Sequence, residues 1–109
     1  MNEEKILSLF GLARRAGRLA PGHDAVIESI VKNKAKLCVL CFDASERLER
    51  EVRHACSYEN KNIPVLKAEF GIKELSKAIG TKAAVISIND EGFSKKLLSM
   101  FEQDKQRKE

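Results

Sequence analysis

Two continuous apolar runs, Leu37-Cys38-Val39-Leu40-Cys41-Phe42 and Ala83-Ala84-Val85-Ile86-Ser87-Ile88, constrain this chain more than any other feature. A strand with one face in water alternates apolar and polar side chains, whereas a run apolar on both faces needs cover on both. Each run is therefore predicted as a central strand with helices packed above and below it. The rest of the chain supplies those helices. Glu3 to Arg15 places Ile6, Leu9, Phe10 and Ala13 on one helical face, and Gly17 stops it just beyond a last turn carrying Arg14 and Arg15. Arg18-Leu19-Ala20 reads as a short extended piece and Pro21-Gly22-His23-Asp24 as turn chemistry. A helix follows to about Lys32, burying Val26, Ile27, Ile30 and Val31.

Asp43-Ala44-Ser45 opens the next helix, with Ser45 in the N-cap position and Leu48, Val52, Ala55 and Tyr58 at helical spacing. Ile63-Pro64-Val65-Leu66 is a short strand whose proline suits a strand start or a sheet edge. Gly71 to Ile79 is a short helix ended by Gly80, and the last helix buries Phe93, Leu97, Leu98 and Phe101. Helices and strands alternate throughout, which points to an α/β layered sandwich. At 109 residues, with no internal repeat and no low-complexity linker, residues 1–109 form one domain, with Gln103 to Glu109 expected to be a charged, frayed tail.

Several function classes fall away on chemistry. No apolar run nears the roughly 18 residues of a membrane span. The opening residues, acidic and then amphipathic, do not read as a secretory signal. Three cysteines without scaffold spacing read as reduced thiols in a cytoplasm. Cys38 and Cys41 have C-x-x-C spacing, but residues three apart on a strand point to opposite faces and cannot share a metal. Cys56 beside its helix's apolar stripe reads as core, and His54 as a solvated surface residue. No G-x-G-x-x-G or G-x-x-x-x-G-K-[ST] occurs, so no enzyme, cofactor or metal is predicted.

Charge says more about partners. The net charge of +4 permits a nucleic-acid partner without demanding one. Residues 1–36 hold seven Lys/Arg against four acids, while residues 37–70 hold five against six. Within the first stretch, Arg14-Arg15-Ala16-Gly17-Arg18-Leu19-Ala20-Pro21-Gly22-His23-Asp24 sets three arginines and two glycines around a helix end and a helix start. A glycine turn at a helix N-terminus lets backbone N–H groups approach an anion, and nearby arginines contact phosphates. The plainer alternative is a capped helix end whose arginines complement the dipole and face water.

The same segment, Phe10-Gly11-Leu12-Ala13-Arg14-Arg15-Ala16-Gly17-Arg18-Leu19, followed by Pro21-Gly22, Lys34-Ala35-Lys36-Leu37 and Phe42-Asp43-Ala44-Ser45, resembles the bacterial branch of the kink-turn RNA-binding ribosomal-protein family. This is the superfamily of large-subunit proteins L-seven-Ae and L-thirty-e. Asn62-Ile63-Pro64-Val65, Lys73 to Gly80 and Asn89-Asp90-Glu91-Gly92-Phe93 continue the pattern in order, from about residue 4 to 101. The resemblance implies a three-layer α/β/α sandwich around a small mixed sheet. It also implies an RNA site at the glycine turn and the start of the second helix, assisted by the loop after the fourth helix.

Carried over residue by residue, the family's RNA code is altered. Gly22 is kept, but Asp24 stands where RNA binders have Asn, Ala25 where they have Glu, and Glu28 where they have Lys. Ser76 replaces a Gly found in many members, and the loop Gly80-Thr81-Lys82-Ala83 carries one basic residue. At about 1–3 kcal/mol per lost base contact, three changed positions cost about 4–6 kcal/mol if independent. Two readings stay open. One is an RNA-binding, ribosome-associated protein whose partner is structured RNA, contacted by Gly22, His23 and Asp24, with Arg14, Arg15, Arg18, Lys32, Lys34, Lys36 and Lys82 on phosphates. The other is a module on the same fold that has lost kink-turn recognition and binds a ribosomal or other protein partner, for which the charged helix side Glu46, Arg47, Glu49, Arg50 and Arg53 is a candidate. That side equally reads as a solvated face laced by Glu46–Arg50 and Glu49–Arg53 pairs. The charge count predicts a surface at the start of the second helix that is acidic at its centre, from Asp24 and Glu28, and basic around its edges.

Overall fold

The computed structural model describes residues 2–107, with side chains over 3–103. In chain order it forms α1 (Asn2–Arg15), β1 (Leu19–Pro21), α2 (His23–Val31), β2 (Leu37–Leu40), α3 (Glu46–Ser57), a 3-10 turn (Tyr58–Asn60), β3 (Val65–Lys67), α4 (Ile72–Ile79), β4 (Val85–Ile88) and α5 (Glu91–Arg107). The four strands make one mixed sheet in the order β1-β4-β2-β3. β4 runs antiparallel to both β1 and β2, while β2 and β3 are parallel. The two apolar runs thus provide the two central strands, and every residue of β2 and β4 is buried.

Two cores follow from side-chain alternation along β2. Leu37, Val39 and Cys41 face one layer with Ile6, Phe10, Leu75, Ile79, Ile86 and Leu97, contributed by α1, α4, β4 and α5. Cys38 and Leu40 face the other with Val26, Ile30, Val52 and Cys56, contributed by α2 and α3. This is the three-layer α/β/α sandwich. The tight joint in the first layer is Gly11, where an added Cβ would stand 2.9 Å from the Ala78 carbonyl oxygen. No side chain fits between α1 and α4 there without one helix moving.

Local chemistry sets the ends of the elements. Ser45 caps α3 by accepting from the Leu48 amide at 3.1 Å. Gly80, with φ 81°, ends α4 in the left-handed conformation. Asp43 Oδ1 accepts from the Ile72 amide at 3.0 Å, so the turn after β2 also caps α4.

Four expectations need correction. β2 stops at Leu40, and Phe42, read as the end of the buried run, is 56% exposed because the chain turns there to deliver Asp43 to α4. Tyr58 leaves the buried stripe of α3 because the helix gives way to the 3-10 turn, and its ring lies exposed beside His54. Val31, at the end of α2, is exposed. In α5 only Leu97 is fully buried, with Phe93, Leu98 and Phe101 packing at the margin of the core. α5 runs to Arg107, into the stretch read as a tail, and Lys108 and Glu109 lie outside the described residues.

Candidate nucleic-acid interface

β1 ends at Pro21, and the chain enters α2 through Gly22, with φ 90° and ψ 165°. That region is open essentially to glycine alone. The Gly22 amide donates to the Val85 carbonyl at 2.8 Å, fixing the turn against β4. The Gly22 carbonyl accepts from Val26 at 3.0 Å, and no side chain caps the helix. α2 therefore opens with first-turn amides at the positive end of its dipole, an arrangement that receives anions.

The side chains around those amides oppose that charge. Asp24 is fully exposed, with its carboxylate 3.5 Å from His23 Nδ1. His23 Nε2 lies 2.7 Å from Glu51 Oε2 on α3, and Glu51 also receives Arg47 Nε at 3.2 Å. One turn on, Lys32 Nζ donates to Glu28 Oε1 at 2.9 Å and holds the Glu28 carboxyl below the usual carboxylate range. The predicted acidic centre is present and is joined by Glu51, which the sequence pattern did not single out because it comes from a different helix.

Two neighbours complete this end of the sheet. The loop from Gly80 to Ala84 carries the exposed Lys82 and is anchored by Ser76 Oγ, which accepts from the Ala83 amide at 3.1 Å. Ser76 thus serves the loop. Phe42 projects from the end of β2, the strand after β4, where Cys41 donates to the Ala84 carbonyl. An added Cβ on Gly71 would stand 3.1 Å from the Phe42 ring, so the ring leans on the α4 entry with its other side in solvent. Sequence reasoning missed Phe42. The only available signal was its position as the last apolar residue before Asp43.

The arginines are elsewhere. Arg18 and Gly22 lie at opposite ends of β1, about 13 Å apart at about 3.3 Å per residue. Arg18 flanks Asn89 on one side, its carbonyl accepting from the Asn89 amide at 2.8 Å, and Lys36 flanks it on the other, donating to the Ile88 carbonyl. Lys34 joins them through the Ser29 carbonyl, since Asn89 Nδ2 also donates to Ser29 Oγ. Arg14 and Arg15 end α1 just before Arg18. The single cradle of Gly22 with Arg14, Arg15 and Arg18 expected from sequence does not form, because a strand separates its halves. Lys32 ends α2 at the far side from Gly22 and is engaged by Glu28, so of the cations expected around Gly22 the fold leaves Lys82 beside it.

The cysteines divide as the strand geometry predicted, Cys38 into one core and Cys41 into the other. Burial, with Asp43 and Glu74 nearby, pushes the Cys41 thiol up to about 12. Cys56 is also core, but its Sγ lies 3.6 Å from Cys38 Sγ, a strand-to-helix contact invisible in the sequence. On α3, Glu49 pairs with Arg53 at 2.9 Å as expected, whereas Arg47 pairs with Glu51. That side is a self-paired face.

Comparison with known proteins places this geometry. The model of the ribosomal protein L7Ae/L30e/S12e/Gadd45 family matches residues 4–98. RNA-binding protein YlxQ of Enterococcus faecium is 36% identical over 101 residues, covering 93% of this chain and 95% of that protein. RNA-binding protein YlxQ of Bacillus subtilis (strain 168) is 37% identical over 95 residues, covering 86% and 92%. Among solved structures, a protein of unknown function from Bacillus halodurans superposes with a TM-score of 0.82 at 33% identity, covering 92% of this chain and 99% of that one. The Giardia lamblia 15.5kD RNA binding protein superposes with a TM-score of 0.72 at 20% identity, covering 94% and 89%, a likeness of fold.

Proposed function

Since this chain belongs to the ribosomal protein L7Ae/L30e/S12e/Gadd45 family, we propose that it is a cytoplasmic RNA-binding protein acting in or near the ribosome, whose recognition of kink-turns is weakened. The observation that carries the reading is the Gly22 turn. It opens α2 on uncapped amides at the place where the family resemblance puts RNA, and the curated relatives are named as RNA-binding proteins. In this reading the amides after Gly22 receive a phosphate or a base edge, His23 and Asp24 face the RNA, and Lys82 supplies charge. Phe42 offers a ring to an unstacked base, a contact worth about 1–3 kcal/mol. Asp24, Ala25 and Glu28 withdraw an amide donor, a carboxylate acceptor and a cation that kink-turn recognition needs.

The test is a titration of fluorescent kink-turn RNA beside an unkinked duplex of equal length, at low and near-physiological salt. Weak binding with little selectivity is expected, with kink selectivity restored in an Ala25→Glu, Glu28→Lys double variant. Tight, selective binding by the natural chain would show that the altered positions do not weaken the code. Failure of the double variant to gain selectivity would remove the Gly22 turn as the RNA site.

A second reading, a protein-interaction module, has one observation in its favour. A groove of about 450 Å³ lies along the open edge of β3, lined by apolar side chains such as Ile6, Leu66, Phe70 and Phe101 and by the charged Glu3, Lys67, Glu69 and Glu102. Binding there would be nearly independent of salt, whereas RNA binding weakens steeply as salt rises.

A further inference from the structure

The cations that the fold removes from Gly22 are gathered at the far end of the sheet. Arg18 and Lys36 flank the same residue, Asn89, from neighbouring strands, so their backbones are about 10 Å apart at about 4.8 Å per strand step. Lys34 is tied to the same point through Ser29, and Arg14 ends α1 shortly before Arg18, whereas Arg15 turns its guanidinium back toward Gly11 and the α4 joint. Arg18, Lys34 and Lys36 are exposed and Arg14 is half-buried. None lies within 4.0 Å of a carboxylate among the described residues, whereas Lys32, Arg47, Arg53, Lys67 and Lys95 are each held by one. The acids near this end are Glu28, which is paired with Lys32 and also feels Lys34, Asp90, which accepts from the Phe93 amide to start α5, and Glu91, which faces Lys95. At the Gly22 end, by contrast, Asp24 and Glu51 balance Arg47 and Lys82.

We propose that the sheet end formed by Arg14, Arg18, Lys34 and Lys36 is a separate face that tracks the phosphate backbone of duplex RNA without regard to sequence, and that it carries most of the protein's electrostatic affinity for RNA. The proposal rests on the RNA reading above and adds a second contact surface to it. Recognition is divided: the Gly22 end meets irregular RNA, and the Asn89 end holds a regular helix by charge. The main-chain bonds around Asn89 fix the spacing of the backbones that carry these cations. Phosphate contact needs no reading of the bases.

The experiment measures affinity for a plain RNA duplex, in two unrelated sequences, as salt is raised. An Arg18→Ala, Lys34→Ala, Lys36→Ala variant is compared with the natural chain and with a charge-matched control, Lys5→Ala, Lys73→Ala, Lys96→Ala. Losing three phosphate contacts flattens the plot of log affinity against log salt by about 3, so the gap between natural chain and variant shrinks about 40- to 60-fold between about 50 and 200 mM salt. The control keeps the slope of the natural chain, both duplex sequences behave alike, and all three proteins melt at the same temperature. An unchanged slope in the first variant, or an equal fall in the control, overturns the separate face while leaving RNA binding at the Gly22 end intact. Absence of RNA binding by the natural chain even at the lowest salt overturns the RNA reading itself. In that case, binding to polyglutamate that the first variant loses would reassign the face to an acidic protein.

Discussion

Gly22 and Phe42 show how single residues set this site. The backbone at Gly22 lies in a region that residues with a Cβ avoid, yet an added Cβ would meet no atom within 4 Å. The cost of Gly22→Ala is therefore conformational, about 1–3 kcal/mol. A urea unfolding curve should show that loss, with the m-value unchanged. Gly11→Ala should cost a comparable amount, about 1–3 kcal/mol, for a different reason: its methyl meets the Ala78 carbonyl oxygen and must push α1 and α4 apart. Phe42 carries the opposite expectation. It is mostly in solvent, so Phe42→Ala should change stability little while lowering affinity for RNA with an unstacked base about 5- to 150-fold, the equivalent of about 1–3 kcal/mol. Phe42→Tyr should retain binding. Equal affinities for Phe42→Ala and the natural chain would remove the ring from the site. The turn at Gly22 was legible in the sequence because turn chemistry is local. The exposure of Phe42 was not, because where an apolar run leaves the sheet depends on Asp43 reaching across to α4.

Between elements, α3 is joined to the sheet by charge at its solvent side and by sulfur at its core side. Glu49 on α3 accepts from Lys67 at the end of β3 at 3.0 Å and from Arg53 at 2.9 Å. The hydrogen bond from Lys67, followed by that from Arg53, holds its carboxyl below the ordinary 4.5. A depressed folded-state pKa stabilises above the unfolded value, and that contribution is lost as pH falls through the folded value. The pair therefore contributes at neutral pH and disappears below the ordinary carboxylate range. In a carboxyl NMR titration, Lys67→Ala should move the Glu49 midpoint up toward 4.5, and an unmoved midpoint would show that Lys67 does not hold it. At the core side, contact with Cys56 and burial push the Cys38 thiol up, and Cys41 is buried in the other layer. All three cysteines should resist alkylation in the folded protein and react together in denaturant. The order of elements, the two central strands and the cap at Ser45 were all readable from pattern and capping chemistry. The Cys38–Cys56 and Glu49–Lys67 contacts were not, because they depend on which helix lies over which strand.

At the scale of the whole molecule, sheet order decides where charge goes. The chain writes Arg14 to Asp24 as one short segment, and local chemistry joined them into one site. Three residues of β1 carry the segment from one end of the sheet to the other, and the antiparallel β4 fixes both ends, through Asn89 at one and Val85 at the other. Lys34 and Lys36 reach the arginine end because α2 runs back along the sheet before β2 starts. The Gly22 end is left to its acids, and this makes its affinity adjustable. Asp24 and Glu51 oppose an incoming phosphate, and Glu51 also occupies Arg47. A unit charge at about 4–8 Å under partly screened conditions is worth about 0.5–1 kcal/mol. Asp24→Asn with Glu51→Gln should therefore raise RNA affinity about 5- to 30-fold near 50 mM salt. Stability should change little, because exposed ion pairs contribute at most about 1 kcal/mol. The gain should fade toward 1 M salt, where screening acts within about 3 Å. A gain that persists at high salt would mean that the new amides make direct hydrogen bonds to RNA. No gain at any salt would mean that RNA does not approach the start of α2, leaving the cations around Asn89 as the surface that meets it.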